Sequence, residues 1–188
     1  MNNERYLLVV SGPSGAGKDT VVKQMLEQYT GMEKSVSATT RAMRPGEKEG
    51  VNYYYITQDA FEDKIAKAEV LEYTQYCGNY YGTLKSEVDA RLSAGITVIL
   101  VIEVQGAGNV KRMYPDCTTV FVRPPSYEEL ERRLIERGTE NEASIKARLK
   151  RAVEEMEYAV DYDYVVVNDD VKTCAEAIHT IVVERQAN

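Results

Sequence analysis

Tyr6-Leu-Leu-Val-Val10 runs without a polar break into Ser11-Gly12-Pro13-Ser14-Gly15-Ala16-Gly17-Lys18, and this stretch decides how the rest of the chain is read. Consecutive apolar residues ending in a glycine-rich turn predict a strand buried on both faces. Beyond Lys18, Val21, Val22, Met25 and Leu26 recur at helical spacing up to Gly31, so the turn joins a strand to a helix. Gly12 to Lys18 satisfies the frame G-x-x-x-x-G-K in the setting that gives it meaning. Glycines let the backbone curl until successive N–H groups converge on phosphate oxygens, and the helix adds the positive end of its dipole. Lys18 supplies a point charge for the outer phosphates. The residue after Lys18 is Asp19, where the motif carries a hydroxyl for magnesium, and Thr20 lies about 100° further round the helix. Three roles stay open there: Thr20 as the metal's hydroxyl, Asp19 acting through a metal-bound water, or Asp19 complementing the helix N-terminus.

Working outward, three more apolar runs predict buried strands: Ile96 to Ile102, Thr118 to Val122 closed by Pro124-Pro125, and Tyr164 to Val167. Amphipathic stretches alternate with them. Leu84 to Leu92 stops near Gly95, and Ser126 caps a helix with Tyr127, Leu130 and Leu134 on one face and Glu129 at the capping-box position. Ser144 to Tyr158 carries Ile145, Leu149, Val153 and Met156, and the last helix carries Ala175, Ile178, Ile181 and Val182. Apolar strands separated by helices mean an α/β fold whose parallel sheet is flanked by helices on both faces. Two segments break the rhythm. Residues 37–85 hold seven of the 14 tyrosines and predict short antiparallel strands plus a helix capped by Asp59, with Glu62 three residues on and Phe61, Ile65 and Ala68 facing inward. The region around Arg137-Gly138-Thr139-Glu140 is charged and glycine-interrupted. Both read as insertions on one domain, giving a core of 1–36, 86–125 and 151–188, an insert of 37–85 and a lid of 126–150.

Composition narrows the function. With 188 residues, 44% hydrophobic and 28% charged, the chain has the makings of a self-sufficient core. A net charge of −7, from 30 acidic and 23 basic residues, argues against a dedicated nucleic-acid binder. Cys77, Cys117 and Cys174 are scattered without a C-x-x-C pair, which suits reduced thiols in a cytoplasmic protein. His179 is the single histidine, so histidine metal sites and Ser-His-Asp triads are nearly excluded. No run is long enough for a signal peptide or a membrane span.

Arg41 and Arg44, three apart among hydroxyl residues, suit bidentate phosphate binding, although solvated loop arginines would look the same in sequence. Tyr53 and Tyr81 are open in the same way, between phosphate ligands and packing residues. The run from Ser11 to Thr20, the pattern from Ser35 to Tyr53, and Gly78-Asn-Tyr-Tyr-Gly82 together resemble guanylate kinases. So do Glu103-Val-Gln-Gly-Ala107, Arg137-Gly-Thr-Glu140 with Arg148, and Val167-Asn-Asp-Asp170, so that the resemblance covers nearly the whole chain in order and spacing.

The resemblance implies a P-loop kinase that transfers the γ-phosphoryl group of ATP to GMP, and to dGMP, with Mg2+, in purine nucleotide metabolism. It implies GMP and ATP as partners, and neither nucleic acid nor membrane. By the same likeness Gly12, Pro13, Ser14, Gly15, Ala16, Gly17, Lys18, Asp19 and Thr20 hold the ATP phosphates, with Asn168 and Asp169 on the adenine side. Ser37 and Glu72 resemble the guanine-reading pair: a carboxylate accepts from N1–H and N2–H₂ while a hydroxyl serves O6. Arg41, Arg44, Tyr53 and Tyr81 resemble the clamp on the acceptor's phosphate, and Thr83 a hydroxyl contacting the base. Lys18, Arg41, Arg137 and Arg148 take the catalytic places, with Arg133 beside the lid arginines. Glu103 resembles the acidic residue on the substrate and metal side, joined there by Asp19 and Thr20, while Val101 stands where the family often has a second carboxylate. A non-catalytic interaction domain of the same fold is opposed by the presence of Lys18, Arg41, Arg137 and Arg148. A kinase for another base is opposed by Glu72 with Ser37.

Overall fold

Every residue of the first apolar run that forms strand is buried. The computed structural model describes residues 6–136 and 142–187. In chain order the elements are β1 (Leu7–Ser11), α1 (Lys18–Gln28), β2 (Met32–Lys34), β3 (Ala38–Thr39), β4 (Tyr54–Tyr55) and α2 (Gln58–Ala66). Then come β5 (Val70–Tyr76), β6 (Asn79–Leu84), α3 (Lys85–Ser93), β7 (Thr97–Val101), α4 (Val104–Met113) and β8 (Thr118–Arg123). The chain continues through α5 (Tyr127–Glu136), α6 (Glu142–Met156), a 3₁₀ turn at Glu157–Asp161, β9 (Tyr164–Val167) and α7 (Val171–Ala187).

The main sheet has the order β2-β7-β1-β8-β9, and all of its pairings are parallel. Side chains alternate across β1, so its two faces feed two cores. Leu8 and Val10 pack with Val21, Met25, Ile178 and Val182 under α1 and α7. Leu7 and Val9 pack with Val88, Leu92, Ala107 and Val110 under α3 and α4. Burying each large aliphatic side chain contributes roughly 1.5–3 kcal/mol, and the three central strands bury Leu7 to Val10, Val98 to Leu100, Val120 and Val122. β1 lies between β7 and β8, where the order of connection reverses. In such sheets ligands bind outside the carboxyl ends of the strands at that point, which is where Gly12 to Lys18 emerges.

The second sheet, β4-β3-β6-β5, lies wholly within Ala38–Leu84. β6 pairs antiparallel with β3 and β5, as expected, but β3 pairs parallel with β4. Its core is Ala38, Phe61 and Leu84, with Tyr80 stacked on Phe61 at 5.0 Å between ring centroids. Glu87 on α3 ties this arm to the main body: it accepts from the Val36 N–H at 3.2 Å and the Tyr54 hydroxyl at 2.8 Å.

Several expectations need correction. β2 escapes a hydrophobicity reading because Glu33 and Lys34 are exposed. It is strand only because β7 offers it a ladder, Met32 opposite Thr97. β9 is apolar yet covered on one side, with Val165 47% and Val167 45% exposed, as an edge strand allows. The cap of α2 is Thr57, whose hydroxyl accepts from the Ala60 N–H, and Asp59 sits inside the first turn. Ala68 lies past the end of that helix with φ 55°, exposed, and contributes no apolar face. The Ser126 cap forms as expected, accepting from the Glu129 N–H at 3.2 Å. Tyr127 and Val153 are exposed, so the contact between α5 and α6 rests on Leu130, Leu134, Leu149 and Ala152.

Candidate active site

The turn after β1 is held by fits that admit no side chain at two corners. A Cβ on Gly12, at φ 140°, would stand 2.0 Å from the Val122 carbonyl oxygen, and one on Gly17 2.4 Å from Asn168 Nδ2. Asn168 is buried, and its Nδ2 donates to the Ala16 carbonyl at 2.8 Å. It therefore braces the loop from the far end of β9. Lys18 Nζ donates back to the Gly12 and Pro13 carbonyls at 2.6 and 3.0 Å, which keeps the ammonium inside the curl.

A cavity of about 980 Å³ opens beside this loop. Gly12, Ser14, Lys18 and Asp19 form one wall, Ser37, Glu72 and Tyr81 the second, Glu103 the floor, and Arg148, Arg151 and Glu155 of α6 the third wall. Thr83, buried on β6, donates its hydroxyl to Glu72 Oε1 at 2.7 Å. Burial pushes the Glu72 carboxyl up, and the bonds from Thr83 offset this only in part. Gly106 makes the room: a Cβ there would lie 3.0 Å from Glu72 Cβ and 3.2 Å from Oε2. Arg148 Nη2 donates to Ser14 Oγ at 2.6 Å. Arg151 bridges Glu103 at 2.6 Å and Glu155 at 2.8 Å, while Glu155 Oε2 accepts from the Ser14 N–H at 3.3 Å. Helix α6 thus reaches both the phosphate loop and the floor. Sequence reasoning missed the parts played by Gly106, Arg151 and Glu155, because Glu72, Glu103 and Ser14, the partners that give them those parts, are distant in the chain.

Arg41, Arg44 and Tyr53 stand outside the cavity wall, on the arm beyond Tyr81, whose ring meets Tyr53 edge-on at 5.9 Å. Arg41 is bound to Glu47 through both terminal nitrogens, at 3.0 and 2.8 Å. Its guanidinium also lies 5.6 Å from the Tyr53 ring centre and 5.8 Å from that of Tyr55. The Arg41 bonds, with the Arg44 N–H, hold the Glu47 carboxyl down to about 2. Arg44 projects into solvent. Glu47 was visible in the sequence as a nearby acid, but nothing in its spacing distinguished it from a solvated one.

A second recess of about 410 Å³ lies on the other side of the loop, lined by Gly15, Gly17, Thr20, Arg133, Asn168 and Asp169 among others. Arg133 donates to the Asn168 carbonyl at 2.9 Å and to Glu129 at 2.7 Å. The structure therefore separates the two neighbours: Asp19 faces the large cavity with Glu103, and Thr20 faces this recess. Asp19 is paired with Lys34 at 2.7 Å, both well exposed, a contact worth little by itself. Arg137 lies outside the described residues.

A phosphate loop between two recesses, with arginines converging from separate elements, defines a P-loop phosphotransferase of the parallel α/β class. The family model described as guanylate kinase matches residues 4–185. The chain is 49% identical over 176 residues to a guanylate kinase of Clostridioides difficile, covering 94% of this chain and 86% of that protein. With one from Desulfitobacterium hafniense the identity is 46% over 179 residues, covering 95% and 90%. A crystal structure of guanylate kinase from Anaplasma phagocytophilum superposes with a TM-score of 0.74 at 35% identity, over 97% of this chain and 87% of that one. The chain belongs to the guanylate kinase family, whose members pass a phosphoryl group from ATP to GMP and yield GDP.

Proposed function

We propose that GMP lies in the large cavity with its base against Glu72 and Ser37, and that ATP lies across the phosphate loop with its adenine toward the Asn168 recess. The observation that carries this is the half-buried Glu72 carboxylate, bonded to Thr83, backed by Gly106 and lining the same cavity as Lys18. Guanine presents two adjacent N–H donors to such a group, and adenine does not. A polar site left unpaired by the wrong base discriminates by roughly 10⁴ or more.

On this reading Lys18 and the loop amides hold the donor phosphates, and the lid residues Arg148, on α6, and Arg137 act on the transferring group. Arg41, Arg44, Tyr53 and Tyr81 grip the acceptor's phosphate. Phosphoryl transfer needs position and charge more than covalent chemistry, and these residues supply both. The arm of 37–85 and the lid of 126–150 move against the core of 1–36, 86–125 and 151–188. The second sheet, complete within the arm, supports that division.

Asp19 and Glu103 fit Mg2+. Both are exposed carboxylates on the cavity wall beside Lys18, and no cluster of three or more potential ligands occurs among the described residues. Mg2+ is commonly held by one or two carboxylates, with waters and substrate phosphates completing its shell. When bound, it neutralises charge on the transferring group. We infer that the protein works in the cytoplasm, on GMP and on dGMP. The cysteines are free, and no described helix is long and apolar enough to cross a membrane. ADP formation measured with GMP, dGMP, AMP, UMP and CMP tests the base assignment. Comparable rates with AMP would overturn it.

A further inference from the structure

Glu47 is engaged more fully than a surface carboxylate needs to be. Its oxygens accept from Arg41 Nη1 and Nη2, from the Arg44 N–H at 2.7 Å and from the Tyr55 hydroxyl at 2.8 Å. Its own N–H donates to the Arg44 carbonyl at 3.1 Å, so the turn from Arg44 to Glu47 is closed from both sides. The side chains of Arg41 and Glu47 keep only 14% and 19% of their exposure.

A guanidinium has five N–H donors arranged along two useful edges. Glu47 occupies the end-on edge, using one proton each of Nη1 and Nη2, and the Ala42 carbonyl takes the other Nη1 proton at 2.7 Å. Neither uses the edge made by Nε–H and the second Nη2 proton; the Tyr81 hydroxyl is a further hydrogen-bond partner of the guanidinium, from the cavity side. That edge is a parallel pair of donors of the spacing that two phosphate oxygens accept. The Tyr53 and Tyr55 ring centres lie 5.6 and 5.8 Å from the guanidinium carbon, and the rings confine it further.

We propose that Glu47 is a positioning residue for the acceptor: by gripping Arg41 end-on, it presents the side edge of the guanidinium to the phosphate of the incoming nucleoside monophosphate. This rests on the reading of the arm as the GMP site. Glu47 itself does not touch the nucleotide. An arginine left free would lose several rotamers' worth of entropy on each binding event, and the preformed pair has already lost them. The bond network also holds the Glu47 carboxyl far below the working pH, so the grip persists throughout it.

The test compares GMP with guanosine, which shares the base and ribose but has no phosphate, by calorimetric titration of the unsubstituted protein, Glu47→Gln and Glu47→Asp. Glutamine is nearly isosteric and keeps the turn, but it can accept at one atom only and turns an N–H₂ toward the guanidinium. The expected result is GMP affinity lower by roughly 10–100-fold in Glu47→Gln, the scale of charge-assisted hydrogen bonds, with guanosine affinity and KM for ATP unchanged. Glu47→Asp should recover part of the loss. If GMP and guanosine weaken together, Glu47 merely supports the arm and the proposal falls. If neither weakens, it falls as well. If the unsubstituted protein itself binds guanosine as tightly as GMP, the arm is not a phosphate clamp, and the failure lies with the site assignment.

Discussion

The phosphate loop and the arm of 37–85, the two regions proposed above to meet phosphate, are built in opposite ways. The loop relies on backbone: seven consecutive residues, Gly12 to Lys18, whose curvature is enforced by corners that admit no Cβ. The arm relies on side chains drawn from β6 and a long loop, among them Arg41 held by an internal anion, Glu47. Backbone amides are oriented as soon as the turn forms. Arginine and tyrosine side chains keep rotamer freedom until something fixes them. A loop of the first kind tolerates little substitution but needs few partners; an arm of the second kind depends on contacts far apart in sequence.

The contrast can be broken most forcefully at Lys18. Lys18→Ala removes the cation from the loop without touching a core residue, and kcat should fall by about 10³-fold or more, the scale of a lost electrostatic stabiliser, with circular dichroism unchanged. Substantial remaining turnover would mean that the amides suffice. Next is Arg41→Ala, which should raise KM for GMP by about 10–100-fold and leave KM for ATP near its original value. Equal effects on both substrates would erase the distinction between the two regions.

Gly106→Ala sharpens the picture on the arm's side. The added methyl presses on Glu72 Cβ, which cannot swing aside as a side-chain tip could. KM for GMP should rise by about tenfold from this displacement, with ATP kinetics intact. An unchanged KM would show that α4 yields instead.

The smallest effect expected is a pH dependence. Burial raises the Glu72 carboxyl above its unfolded value. That group therefore contributes stability that is fully present below the unfolded pKa and lost as pH rises through the folded one. Guanine needs the ionised form, so GMP affinity should weaken as pH falls through the raised value, and Glu72→Gln should lack this step. Glu47, held to about 2, has the opposite sign. Its contribution is present above the ordinary carboxylate pKa and is lost only between there and about pH 2. A GMP titration step shared by the unsubstituted protein and Glu72→Gln would contradict the assignment.

The two constructions also explain what could be read in advance. The sequence alone determined the parallel α/β core, the phosphate loop and its lysine, because strand burial, helix periodicity and glycine curvature are properties of short consecutive segments. Residues 37–85 were legible as an insert through their tyrosines and short strands. Tertiary structure alone decided that β2 exists, since a polar segment becomes strand when β7 supplies the ladder. It decided that Asp19 and Thr20, adjacent in sequence, face different recesses, because they leave the first turn of α1 in different directions. It also decided that Glu47 locks Arg41, that Gly106 clears space for Glu72, and that Arg151 and Glu155 tie α6 to the floor and the loop. The physical reason is common to all of these. A side chain's partner is set by where distant segments pack, and neither its own chemistry nor that of its neighbours in the chain encodes that distance.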